Sequence, residues 1–226
     1  MNGDPGEPRA QDRAQDRSAV TGYPANLLVA GRRCVVVGAG RIAARKIASL
    51  LEAGADVLVV APEAGDAVRA WAEAGQVTWH ERPFAPADLD RAWLATTATG
   101  VPAVDHAVFA AGEERRVWVN SADDPANCSF TLTSVVRRGD LVVTVGTGGR
   151  SPALAAWLRR RLGEELGPEY ATLLDVLSEA REELRAAGRS TEEPDWQSAL
   201  DSGMLDLIRA GNVEAAKETL RACLWS

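Results

Sequence analysis

The sequence predicts an α/β fold, a Rossmann-like doubly wound parallel sheet, on three observations. Short, wholly apolar β-branched runs recur, with Cys34 to Val37 and Val57 to Val60 the clearest. Between them lies a stretch with apolar residues at helical spacing, Ile42, Ile47, Leu50 and Leu51. A glycine turn, Gly38-Ala39-Gly40, separates the first run from that stretch. Strands without a polar face belong to parallel sheets covered on both sides, and strands alternating with helices in one sheet need right-handed crossovers.

The elements follow in order. Cys34 to Val37 is a strand, and Ile42 to Ala53 is a helix closed by Gly54, a natural C-cap. Val57 to Val60 is the second strand and Asp66 to Ala74 the second helix. Val77 to His80 and Trp93 to Thr97 are strands, Val101 to Ala111 is a helix, and Val117 to Asn120 is the last strand of the series. After Asp124-Pro125 the rhythm changes. Phe130 to Val136 and Leu141 to Val145 read as strands joined through Arg137-Arg138-Gly139-Asp140. Helices follow over Pro152 to Leu166, Glu169 to Ala187, Asp195 to Leu200, Met204 to Ala210 and Val213 to Leu224, with a polar loop at Ala187 to Asp195. The expected domains are a disordered N-terminal arm over 1–22 and a nucleotide-binding Rossmann domain over 23–129. A small α/β dimerisation and substrate segment over 130–163 and a helical C-terminal domain over 164–226 complete the chain, and a homodimer is expected.

Composition narrows the class. The chain has 226 residues and a net charge of −7, and no apolar run approaches the ~20 residues of a membrane span. The acidic balance argues against nucleic acid as the main partner. A polar N-terminus predicts no secretory leader, and three cysteines without metal-ligand spacing (Cys34, Cys128 and Cys223) predict no disulfide framework. A cytoplasmic protein with no metal site is expected. His80 and His106 are isolated and read as structural, Cys128 as a small buried residue, and the seven tryptophans as packing residues. Within this acidic chain, Ser134 to Gly163 carries six arginines against one aspartate. Such a segment is either a site for a polyanionic small molecule or a solvated helix face.

Gly38-x-Gly40-x-x-Ala43 lies between a strand and a helix. The first glycine permits the tight turn, the second lets backbone approach a pyrophosphate, and a small third residue lets helix and strand pack closely. The free N–H groups of the helix N-terminus suit phosphates. Glu63, after the second strand, is placed to bond ribose hydroxyls, whereas Arg41 leaves a 2′-phosphate, and so NADP, open.

From the glycine turn onward the sequence resembles the precorrin-2 dehydrogenase and sirohydrochlorin ferrochelatase family, which includes the N-terminal module of siroheme synthase. The resemblance rests on Asn26-Leu27, Val37 to Lys46, Leu51 to Ala55, Val59 to Pro62, Val119 to Pro125, Cys128, Phe130 and Gly148 to Pro152, in the family's order. It implies oxidation of precorrin-2, a tetrapyrrole with eight carboxylates, to sirohydrochlorin with NAD as cofactor. It leaves two alternatives: an enzyme that also inserts ferrous iron, and a non-catalytic NAD-sensing module. It implies Asp123 as the catalytic base. The expected cofactor contacts are Gly38, Gly40, Arg41, Ile42, Ala43, Pro62, Glu63 and Thr99. The expected substrate contacts are Asn120, Arg138, Thr147, Gly148, Gly149, Arg150 and Ser151, with Ser151 as the cap of the following helix. Thr147 stands where the family has a serine that some members phosphorylate. The chain departs from the family at Thr97-Ala98-Thr99-Gly100, where Ala-Thr-Asp-Asp is usual, and Asp105 replaces a following asparagine.

Overall fold

The protein is described here by a computed structural model covering residues 22–225, so the expected disordered arm, except for Gly22, lies outside the described residues. The chain divides into two units, Met1–Leu132 and Thr133–Ser226.

In the first unit, β1 (Arg33–Val37), α1 (Arg41–Glu52), β2 (Asp56–Val60), α2 (Asp66–Glu73) and β3 (Thr78–His80) run outward to one edge of the sheet. The chain then returns to the other side of β1 with β4 (Leu94–Thr97), α3 (Pro102–Arg115) and β5 (Trp118–Ser121). The sheet order is β3-β2-β1-β4-β5 and every pairing is parallel, which is the expected doubly wound fold. The order reverses between β1 and β4, and the crevice at the carboxyl ends beside that reversal is where such sheets bind ligands.

The strands are apolar throughout because both faces are covered. Cys34, Val36, Val57 and Val59 pack with Ala43, Ile47 and Val68 of α1 and α2. Val35, Val37, Leu58, Val60, Ala95 and Val119 pack with Val108 and Ala111 of α3. Each of these branched side chains contributes about 1.5–3 kcal/mol on full burial. Burial, with the Asp56 charge adding to it, pushes the Cys34 thiol up to about 11, so this cysteine is an unreactive core residue.

The second unit opens on an antiparallel hairpin, β6 (Ser134–Arg138) and β7 (Leu141–Val145), with Arg138 opposite Leu141. Its helices are α4 (Pro152–Glu165), α5 (Glu169–Ala186), α6 (Trp196–Leu200), α7 (Met204–Arg209) and α8 (Val213–Leu224). Leu173, Val176, Leu184, Met204 and Leu220 form a separate core within this helical part.

One expectation is corrected. The strand expected over Phe130 to Val136 begins at Ser134, and Arg137 and Arg138 belong to it, leaving Gly139 and Asp140 as a two-residue turn. Phe130 stays with the sheet because its carbonyl accepts the Asn120 amide at 3.0 Å and its ring packs on the first core. The chain divides into compact units once, after Leu132. Hairpin and helical tail fall in one unit because Arg138 bonds the end of α4 and Gly139 packs on Ala171 of α5. The tryptophans also divide. Trp71, Trp79 and Trp196 pack on the cores, whereas Trp93, Trp118, Trp157 and Trp225 are exposed, and Arg32, Arg161 and Arg189 lie over the rings of Trp93, Trp157 and Trp225 respectively.

Candidate functional site

The glycine turn is held from both sides. Gly38 N–H donates to Val60 O at 2.9 Å, and Gly65 N–H donates to Ala39 O at 3.0 Å. Gly38 has φ +103, and a Cβ there would lie 2.6 Å from Ala98 O, so this glycine serves the packing of the turn against the end of β4. Gly40 differs: it is the N-cap of α1 without a side-chain cap, and a Cβ on it would meet nothing within 4 Å. The space above Gly40 is open and faces the unpaired N–H groups of the first turn, Arg41 to Ala43. A pyrophosphate fits there. Arg41 and Ile42 are exposed beside it, Ala43 is fully buried against the sheet, and Pro62 and Glu63 are exposed at the same carboxyl edge, after β2.

The β4–α3 loop, where the chain departs from the family it resembles, is tied down by Asp105. The Asp105 carboxylate is buried and accepts hydrogen bonds from the Thr97 hydroxyl and, at 2.8 Å, from the Thr99 hydroxyl. Thr99 Oγ1 also accepts the Val101 N–H at 3.0 Å. The Thr99 side chain is thus occupied in shaping its own loop, which leaves the loop backbone for contact with a ligand.

At the carboxyl end of β5 the chain turns through Asp123, one of three non-glycine residues with positive φ, at +60 among the described residues. Asp and Asn tolerate this conformation better than other side chains. The adjacent aspartates differ. Asp124 accepts from Asn127 Nδ2 at 2.6 Å and closes the short 3₁₀ turn Pro125–Asn127. Asp123 is exposed, and its carboxylate accepts no hydrogen bond from the described residues. His106, on α3, sits beside this turn with Nδ1 3.2 Å from Asn127 Oδ1, which accords with a structural role.

Asn120, expected to meet a substrate, is committed elsewhere. It is 7% exposed, its Oδ1 accepts from Lys46 Nζ at 2.8 Å, and its Nδ2 donates to Phe130 O. Nδ2 also lies 3.6 Å from Cys128 Sγ, and the Ser121 N–H donates to that sulfur at 3.2 Å. Cys128 is buried as expected, yet it is also a hydrogen-bonding member of the β5 end. Lys46, from α1, is the charged residue that sequence reasoning left without a role, although Arg45-Lys46 was among the residues carrying the resemblance. Burial lowers its ammonium below the usual lysine value, and nearby Cys128 and Asp123 oppose that shift.

In the second unit the loop 147–151 is shaped by its own hydroxyls. Thr147 Oγ1 accepts Ser151 N–H at 3.2 Å, and Ser151 Oγ accepts Leu154 N–H at 3.2 Å, making Ser151 the N-cap of α4 as expected. Gly148 and Gly149 both have positive φ, and Arg150 is exposed. Arg159, Arg160 and Arg161 are exposed on α4, as a solvated basic face requires.

Arg138 has a different task from the one expected. Its Nε donates to Leu166 O at 2.6 Å, its Nη2 to Gly163 O at 2.6 Å and its Nη1 to Arg137 O at 2.9 Å. A guanidinium across the carbonyls that end a helix satisfies acceptors the helix cannot and opposes the negative end of its dipole. Arg138 clamps α4 to the hairpin, and three of its five donors are committed to backbone carbonyls. Arg138→Ala is therefore expected to cost about 1–3 kcal/mol, the price of leaving partly buried carbonyls unpaired, and to lower Tm by several degrees. Arg150→Ala should leave Tm unchanged. Thermal melts of both variants check this, and equal Tm values for Arg138→Ala and the parent would overturn it.

Comparison with known proteins places this arrangement. An NAD(P)-binding family model, NAD_binding_7, matches residues 25–134. Siroheme synthase of Nitrosococcus oceani is 34% identical over 203 residues, 89% of this chain and 43% of that protein. Siroheme synthase of Photobacterium profundum is 34% identical over 192 residues, 84% of this chain and 41% of that protein. Over most of its length the chain is similar to the siroheme synthases. The chain spans about two fifths of the length of these curated relatives. Among solved structures, SirC, a precorrin-2 dehydrogenase, superposes with a TM-score of 0.69 at 23% identity, covering 88% of this chain and 99% of that one, which confirms the fold. A nicotinamide cofactor accords with the family model and with the open space above Gly40. No helix among the described residues is long and apolar enough to cross a membrane.

Proposed function

We propose that the chain oxidises precorrin-2 to sirohydrochlorin with NAD, Asp123 accepting the proton that the substrate loses. The observation that carries the reading is the contrast at the end of β5. Asp124 is used to close a turn, while the neighbouring carboxylate of Asp123 is exposed, and unbonded among the described residues, at the carboxyl edge of the sheet. A carboxylate so placed is a ready general base. NAD, when bound, supplies the hydride acceptor. The chain's own part is to hold the pyrophosphate at Gly40 and the first turn of α1, to bond ribose hydroxyls through Glu63, and to take the proton on Asp123. The choice of NAD over NADP rests on Glu63, since a carboxylate there repels a 2′-phosphate. In the second unit, the exposed Arg150 side chain and the N–H groups of Gly148 and Gly149 offer partners to substrate carboxylates, those of Arg150 and Ser151 being taken by Thr147. A homodimer is part of the same reading.

The test is to mix purified protein with precorrin-2 and NAD and follow the visible absorbance of sirohydrochlorin. Formation of the product at a rate proportional to protein supports the reading, and no product with either NAD or NADP overturns it. Ferrous iron, added afterwards, tests the second activity as a substrate. Light scattering of the same sample reads the dimer.

A further inference from the structure

We propose that Lys46 is a substrate-positioning residue: its ammonium, steered by the Asn120 amide at the end of β5, takes one side-chain carboxylate of the tetrapyrrole and so sets the ring against Asp123. The inference rests on the proposed dehydrogenation and deepens it.

Three observations within the first unit lead to it. Lys46 is half-buried, and its one hydrogen bond among the described residues goes to Asn120 Oδ1, a neutral acceptor, at 2.8 Å. An ammonium has three N–H donors. Two are left without an acceptor among the described residues, and Lys46 belongs to no ion pair there. Asp123 acts on this charge without pairing with it, and a half-buried charge with no carboxylate in contact is costly unless a ligand supplies one. Asn120 is itself immobile: its Nδ2 donates to Phe130 O at 3.0 Å, which fixes the amide so that Oδ1 faces the lysine. The cation is therefore aimed before any ligand arrives. Asp123 lies close enough to act on the Lys46 charge, so the ammonium and the proposed base share one edge. An ammonium fixed beside a base recognises an anion attached to the molecule that the base deprotonates. Precorrin-2 carries such acids around its whole ring.

A competing source of negative charge is the pyrophosphate at the N-terminus of α1, on the same helix. The experiment separates the two. Lys46→Gln keeps an N–H donor for Asn120 Oδ1 but removes the charge, so the turn should survive, whereas Lys46→Arg keeps the charge. Three quantities are read for the parent and both variants: the KM for precorrin-2, the Kd for sirohydrochlorin by quenching of tryptophan fluorescence, and the Kd for NAD. We expect Lys46→Gln to raise both tetrapyrrole values about ten-fold or more, as loss of a hydrogen bond to a charged group does, with the NAD Kd within two-fold of the parent. Lys46→Arg should recover most of the loss. Methyl-esterified sirohydrochlorin should bind parent and Lys46→Gln equally.

Unchanged tetrapyrrole values in Lys46→Gln overturn the proposal, as does a rise in the NAD Kd of equal size, which would assign the lysine to the nucleotide. A fall in Tm with proportional loss of all three affinities, not recovered by Lys46→Arg, also overturns it and leaves a structural residue. Failure of the parent to oxidise precorrin-2 is a separate result, because it strikes the proposed function before any variant is compared.

Discussion

Replacing Asp123 by Asn is expected to lower the rate of precorrin-2 oxidation by about two to four orders of magnitude while leaving NAD affinity within a factor of two. That range is the usual contribution of one positioned general base. Asn is the informative substitution because the residue sits at φ +60, which Asn adopts almost as readily as Asp. An Asp123→Ala variant would add about 1–2 kcal/mol of backbone strain to the loss of the carboxylate, and the two effects would be confounded. The measurement is single-turnover absorbance at saturating NAD, with NAD titrated separately. If Asp123→Asn oxidises the substrate at the parent rate, the proton goes elsewhere. Asp124 is the natural next candidate, although its tie to Asn127 would first have to break.

Gly40→Val is expected to abolish detectable NAD binding, a loss of a hundred-fold or more, with Tm within about 2 °C of the parent. The two glycines of the turn make opposite predictions because their surroundings differ. A Cβ on Gly40 enters open space, so the folded chain tolerates it, but that space is where a pyrophosphate must approach the backbone. A Cβ on Gly38 would lie 2.6 Å from Ala98 O with φ at +103, so Gly38→Ala should unfold the sheet's switch point whether or not nucleotide is present. Isothermal titration with NAD and a thermal melt on each variant separate the cases. A Gly40→Val protein that binds NAD as tightly as the parent removes the nucleotide from this turn.

Much of the molecule was legible in the sequence for a physical reason: the signals are short in range. A β-branched run buried on both faces, a helix ending at glycine and a Ser-Pro helix start each declare themselves within a few residues. Elements from β1 to α8 accordingly fall within a few residues of their expected positions, and Ser151 caps α4 as expected. The exception, the start of β6, came from a tertiary contact: the Phe130 carbonyl is taken by Asn120, so the segment before Ser134 stays with the sheet.

Sequence by itself determined the parallel doubly wound fold, the glycine turn and the likeness to siroheme synthases. Tertiary structure alone decided what the polar side chains of the site do. Asn120 and Lys46 are 74 residues apart in the chain, and Arg138 reaches Leu166 across 28. No local pattern encodes such pairings, because a hydrogen bond depends on where the folded backbone carries two atoms and not on the spacing between their residues. Arg138 looked available because it is an arginine in a basic run, and it proved to be spent on the carbonyls at the end of α4. Lys46 looked unassigned because a lysine inside a helix is ordinary, yet the fold brings Asn120 Oδ1 to 2.8 Å from its ammonium and Asp123 near enough to act on its charge.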